Sequence, residues 1–199
     1  MSTLPRDVIV GVYNDGMLNK ASDELLDQLF SDGLTEYLKP WDGKGPSDDN
    51  LIIRLLELVL QYDPENELGH TDDALVFLPD VYIRKKEYKK AREATEKLIY
   101  LINKNRAKEY YCMCRYESYL EIGQTYYLEN NLDKAIEFFN KSLEIDQSEN
   151  YKAAYGLALC YRSKKQYKVA RSHLNMARIL KAMYYQRYPG IYGGTNESK

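Results

Sequence analysis

The chain has 199 residues, enough to bury a real core in one large domain or two small ones. Its formal charge is only −2, and no apolar run approaches the ~18–20 residues of a membrane span. The charge is unevenly spread, however: residues 1–71 sum to −9 and residues 72–199 to +7, and 150–188 hold nine basic residues and no acidic one, a candidate electrostatic footprint.

The opening "MSTLPRDVIVGVYNDG" has one basic residue before a short apolar run and no small-residue cleavage site, so it does not read as a signal peptide. Three cysteines without framework spacing point to a reducing compartment; the cytosol is the default, with the nucleus as the alternative. Residues 1–19 are an N-terminal segment. An atypical helical cap follows over 20–66. In it "ASDELLDQLFSDGLTEYL" and "LIIRLLELVLQYDPEN" are two helices, separated by "KPWDGKGPSDD", a loop set by Pro40, Gly43, Gly45 and Pro46. Ser47 is the expected N-cap of the second helix.

Residues 72–105 show helical spacing at Leu75, Leu78, Tyr82, Tyr88, Ala91 and Leu98, with Pro79 expected to bend or loosen the first helix. An insertion at 106–115 comes next. Tyr111, Cys114, Ser118, Ile122 and Tyr126 keep a helical rhythm through it, which predicts one long helix over about 107–129, near 35 Å by the usual rise. Cys112 and Cys114 would point about 200° apart on that helix and cannot easily share an ion, so they read as structural thiols. His70 and His173 have no ligand-spaced neighbour.

Residues 116–129, "YESYLEIGQTYYLE", place Tyr119, Ile122 and Tyr126 along one stripe, with Gly123 where a neighbouring helix could come close. Asn130 and Asn131 break the helix, because Asn tolerates the left-handed conformation and also caps. Ala135, Ile136, Phe139, Ser142 and Leu143 continue the rhythm over 132–145. This hairpin resembles the tetratricopeptide repeat (TPR), a 34-residue helix–turn–helix unit. The signature positions are filled by Tyr119, Ile122, Gly123, Tyr126, Ala135, Phe139 and Ser142. Residues 151–184 repeat the pattern with Ala154, Leu157, Ala158, Tyr161, Tyr167, Ala170, Leu174 and Ala177 after a shift of 35, while 72–105 is a weaker copy. Asp63–Pro64 is a common end to such a unit.

The resemblance implies an all-α, TPR-like helical-hairpin solenoid of about eight helices, with an irregular N-terminal cap, three hairpins within 72–184 (72–105, 116–149 and 151–184) and one lengthened helix. Residues 185–199 read as a disordered tail. "GIYGGT" lies too close to the chain's end to be a phosphate loop followed by a helix. No nucleophile set or metal-ligand spacing stands out. The expectation is therefore a non-enzymatic protein with no cofactor and no metal.

In this family the first helix of each hairpin lines a concave groove for a partner segment. The resemblance carries that role to Asp73, Val76, Phe77, Asp80 and Ile83, then Glu117, Leu120, Glu121, Gln124 and Tyr127, then Lys152, Tyr155, Leu159 and Arg162. One branch of the family clamps a chaperone's C-terminal carboxylate with Lys, Asn and Arg side chains. Here the matching positions hold Val76, Asp80, Glu121, Lys152 and Gly156, and only Lys152 fits. The implied partner is instead a protein or peptide with a basic or amphipathic segment, held by an adaptor, assembly factor or complex subunit. Two alternatives remain. A basic patch of Lys164, Lys165, Lys168, Arg171, Arg178 and Lys181 could meet nucleic acid or an anionic membrane, and the chain could be a dedicated chaperone for a secreted or membrane client. The 20 tyrosines read mostly as core residues with one wet edge.

Overall fold

A computed structural model describes residues 23–109, 115–147 and 150–188. Among these residues every regular element is a helix: α1 (Asp23–Leu38), α2 (Asp49–Tyr62), α3 (Thr71–Arg84), α4 (Tyr88–Asn103), α5 (Arg115–Leu128), α6 (Leu132–Ile145), α7 (Tyr151–Ser163) and α8 (Tyr167–Arg187). The chain divides into two units, the boundary falling after Ala74.

In the first unit, α1 packs on α2. Leu26 and Leu29 of α1 and Ile52, Leu55, Leu56 and Val59 of α2 are closed to solvent. Gly33 lets the helices come close, since a Cβ there would lie 2.9 Å from the Leu56 side chain. The N-cap of α2 is Asp48, whose Oδ1 accepts from the Asn50 and Leu51 amides. Ser47, the expected cap, instead donates to Asp49 at 3.4 Å. A carboxylate can accept two amides at once, and its charge also suits the positive end of the helix. The buried Glu36 carboxylate closes the intervening loop by accepting from Lys39 and from the Asp48 amide.

Buried Asp63 organises the turn after α2. Its carboxylate accepts from the Glu67, Leu68 and His70 amides, and its carbonyl accepts from the Thr71 hydroxyl at 2.5 Å. Pro79 lies inside α3 without ending it, the helix running from Thr71 to Arg84.

The second unit repeats one turn. Lys86, Asn130 and Lys165 each have φ near +60°. Each donates its amide three residues back, to Ile83, Tyr127 and Arg162, while the next amide reaches five residues back, to Tyr82, Tyr126 and Tyr161. This double bond satisfies carbonyls that a helix end otherwise leaves open. Asn105 ends α4 in the same way. After its turn, Asn131 caps α6 by accepting from the Lys134 amide.

Of the helix predicted over about 107–129, Ala107 and Lys108 are non-helical, Glu109 is helical, 110–114 lie outside the described residues, and α5 runs from Arg115 to Leu128. The longest described helix is α8, with 21 residues. It runs to Arg187, so residues 185–187 are helical rather than part of a tail; 189–199 lie outside the described residues.

α5 packs on α4, α6 and α7, and α7 on α6 and α8. Phe139 of α6 is the hub of this stack. Its ring is clamped between two helix backbones, since a Cβ on Gly123 of α5 would lie 2.7 Å from it and one on Gly156 of α7 would lie 2.6 Å away. Asn150 ties the same elements together at their ends. It caps α7 through the Ala153 amide and donates to the Ser142 hydroxyl, which in turn donates to the Tyr116 carbonyl at 2.6 Å.

Candidate functional site

The hairpin stack places first helices α5 and α7 side by side. Residues three and four apart share a helix face, so Glu117, Leu120, Glu121, Gln124 and Tyr127 form one row on α5. Lys152, Tyr155 and Leu159 form the facing row on α7. Between the rows lies an open pocket of about 340 Å³, with walls from Leu120, Gln124, Tyr127, Lys152, Tyr155 and Leu159. Leu128, Phe139 and Gly156 complete it. Gly156 therefore has two effects: it admits the Phe139 ring beneath and leaves that ring as part of the pocket floor.

Glu121 sits partly buried at the back of this face, with Oε2 3.3 Å from the Thr95 hydroxyl. Burial pushes its carboxyl up to about 8, and the nearby charges of Glu117 and Asp80 push in the same direction. The Thr95 hydrogen bond and the Lys152 ammonium pull it back only in part. At neutral pH the group is mostly protonated, so the middle of the face is a neutral hydrogen-bonding surface. Asp80 is engaged at 2.5 Å by Arg84, one turn along α3. The face is thus less anionic than its composition implies.

The remaining predicted groove residues lie elsewhere. Phe77 and Asp80 are on the part of α3 in the second unit, whereas Asp73 belongs to the first. Arg162, at the last turn of α7, lines neither pocket.

The basic patch also separates. Lys164 is ion-paired with Asp133 of α6, and Lys165 holds the left-handed turn position. Lys168 and Arg171 are exposed on α8. Arg178 and Lys181 instead converge on Lys152 around a second pocket, of 350 Å³, between α7 and α8. Tyr151, Tyr155, Leu174 and Ala177 supply the rest of its lining. The sequence reading missed Tyr151, Leu128, Phe139 and Gly156 as site residues and treated Leu174 and Ala177 as packing only. The available signal was the pairing of Gly123 and Gly156 around one phenylalanine.

Cys160 is buried, and burial raises its thiol to about 11, an inert structural group; Cys112 and Cys114 lie outside the described residues. His173 is stacked on Tyr161, rings 5.3 Å apart, and burial lowers its pKa. Among the described residues no three His, Cys, Asp or Glu side chains cluster as a metal site, and no helix is long and apolar enough to cross a membrane.

The tetratricopeptide repeat family profile matches residues 116–149. No curated protein sequence matches the chain. Among solved structures, a crystal structure of MamA has a TM-score of 0.63 at 18% identity, covering 90% of this chain and 86% of that one. BtubC from P. vanneervenii gives 0.64 at 15% identity, covering 96% and 75%. A Podosopora anserina protein of nearly identical TPR-like repeats gives 0.63 at 17%, covering 91% and 85%. At these identities the likeness is one of fold. Residues 116–149 are a tetratricopeptide repeat, in an all-α chain with the fold of TPR-like helical-hairpin proteins.

Proposed function

We propose that the chain is a non-enzymatic protein–protein interaction module that holds a segment of a partner protein across α5 and α7, as an adaptor, assembly factor or complex subunit. The observation that carries this reading is the pocket between the two helices. Its walls are mainly carbon, with Gln124 and Lys152 at the polar edge. That composition suits an inserted apolar side chain, with flanking polar contacts setting register. Tyr155, 49% exposed at the rim, offers a broad surface with few rotamers to freeze, a property of interface tyrosines.

An amphipathic segment fits better than a strongly basic one, because Glu121 is mostly protonated, Asp80 is paired, and the remaining Glu117 carboxylate is matched in number by the Lys152 ammonium on the facing row. We also place the protein in a reducing, cytosolic setting, on the free buried thiol of Cys160. The reading is tested by capturing partners with the intact chain and with Tyr127→Ala/Leu128→Ser, after nuclease treatment and at raised salt. Loss of one defined protein from the variant, with helicity unchanged, supports groove binding. Equal recovery by both forms refutes it.

A further inference from the structure

The second pocket, between α7 and α8, has a chemistry distinct from the groove beside it. Leu174 and Ala177 form an apolar floor, while Lys152, Arg178 and Lys181 stand around it. Tyr151 and Tyr155 wall it on the α7 side. Three cations converging on one concavity repel one another, and a fold gains nothing from leaving them so. Among the described residues none of the three is ion-paired, and 150–188 contain no acidic side chain. Lys152 feels the Glu121 carboxyl at longer range, but that group is mostly neutral. Lys181 lies over two rings instead, 5.8 Å from the Tyr151 centroid and 5.5 Å from that of Tyr185. These contacts steady the ammonium without neutralising it.

We propose that this pocket binds an acidic peptide segment, which inserts an apolar side chain onto the Leu174–Ala177 floor and sets flanking carboxylates against Lys152, Arg178 and Lys181. The proposal rests on the groove reading only in extending the same partner-binding face, since Lys152 and Tyr155 line both pockets. It differs from the carboxylate clamp of TPR co-chaperones: two of its three cations lie on α8, the second helix of the hairpin. The apolar floor favours a peptide over a free anion, because inorganic phosphate would have to shed water against Leu174 and Ala177 without gaining a contact there. Charge complementarity to the basic rim supplies on-rate and register.

The test uses the full chain and a short capped peptide with a central phenylalanine flanked by glutamates. Its all-glutamine counterpart and inorganic phosphate serve as the other probes. Binding is followed by peptide anisotropy and by the ring signals of Tyr151 and Tyr155. The acidic peptide is expected to bind, to weaken about tenfold in Arg178→Gln/Lys181→Gln, and to weaken as salt rises. The glutamine peptide should bind at least about tenfold less well by the same electrostatic argument. Both substituted side chains are exposed, so the variant's helicity and melting should match the parent.

Equal binding of the two peptides, or no effect of the double substitution, overturns the proposal. Displacement by millimolar phosphate with unmoved ring signals reassigns the site to simple anions and overturns it as well. The groove reading is scored separately: loss of the partner from Tyr127→Ala/Leu128→Ser without peptide binding leaves the groove standing and this pocket refuted. The reverse pattern refutes the groove alone.

Discussion

Gly156→Ala should destabilise the protein although it replaces glycine in the middle of a helix. Intrinsic propensity alone would make the change favourable by about 1 kcal/mol. The added Cβ, however, would lie 2.6 Å, 2.7 Å and 2.8 Å from three ring atoms of Phe139, against an ordinary carbon–carbon contact of about 3.5–4.0 Å. The ring cannot retreat, because its other edge already meets α5 at Gly123. Overpacking of this kind costs about 1–3 kcal/mol, leaving a net loss of up to about 2 kcal/mol, or a fall in Tm of up to about 8 °C for a chain of this size. Thermal and urea melts by circular dichroism measure it. The decisive control is Phe139→Leu, which shortens the ring at a cost of about 1 kcal/mol. In the double variant the new methyl has room, so the two losses should fall short of additive by about 1 kcal/mol. A Gly156→Ala protein that melts above the parent, or a strictly additive pair, would refute the clamp.

Three further outcomes follow from particular contacts. Glu121→Gln mimics the protonated side chain. The native carboxyl titrates near 8 and an unfolded one near 4.5, so the folded state holds the extra proton between those values and native stability falls as pH rises through that window. The glutamine variant should therefore match the parent near pH 4 and exceed it by roughly 1–3 kcal/mol above pH 8; parallel pH profiles in urea melts would contradict this. Lys165→Gly relieves a side chain held at φ 60° and should raise stability by about 0.5–1 kcal/mol, read as a higher urea midpoint. Asp63→Asn removes one of two carboxylate oxygens that accept three amides. It should cost about 1–3 kcal/mol and speed hydrogen exchange at the Glu67, Leu68 and His70 amides.

The second unit was legible because its packing is local. Ile122, Ala135, Phe139 and Ser142 stand at offsets that only a short helical hairpin brings together, and Asn130–Asn131 name both the left-handed turn and the following cap. Lys86 and Lys165 occupy the same left-handed position with no such signal, since the turn's two hydrogen bonds are made by backbone and outweigh the side-chain preference. The groove rows on α5 and α7 could be counted off the repeat. The state of Glu121 could not, because it depends on Thr95, Glu117, Asp80 and burial, which come from three helices. Nor could the fate of the basic patch be counted: Lys164 meets Asp133 across 31 positions, while Arg178 and Lys181 gather around Lys152 through the packing of α8 on α7.

The most direct test of the groove is quantitative binding of the captured partner, or of its shortest retained segment, to the parent chain and to Tyr127→Ala/Leu128→Ser by calorimetry. Truncating two contacts of an apolar anchor pocket should weaken affinity by about 2–3 kcal/mol, on the order of a hundredfold, with circular dichroism unchanged and no dependence on nuclease. An affinity equal to the parent's, with the variant fully folded, would show that the partner is held on some other surface.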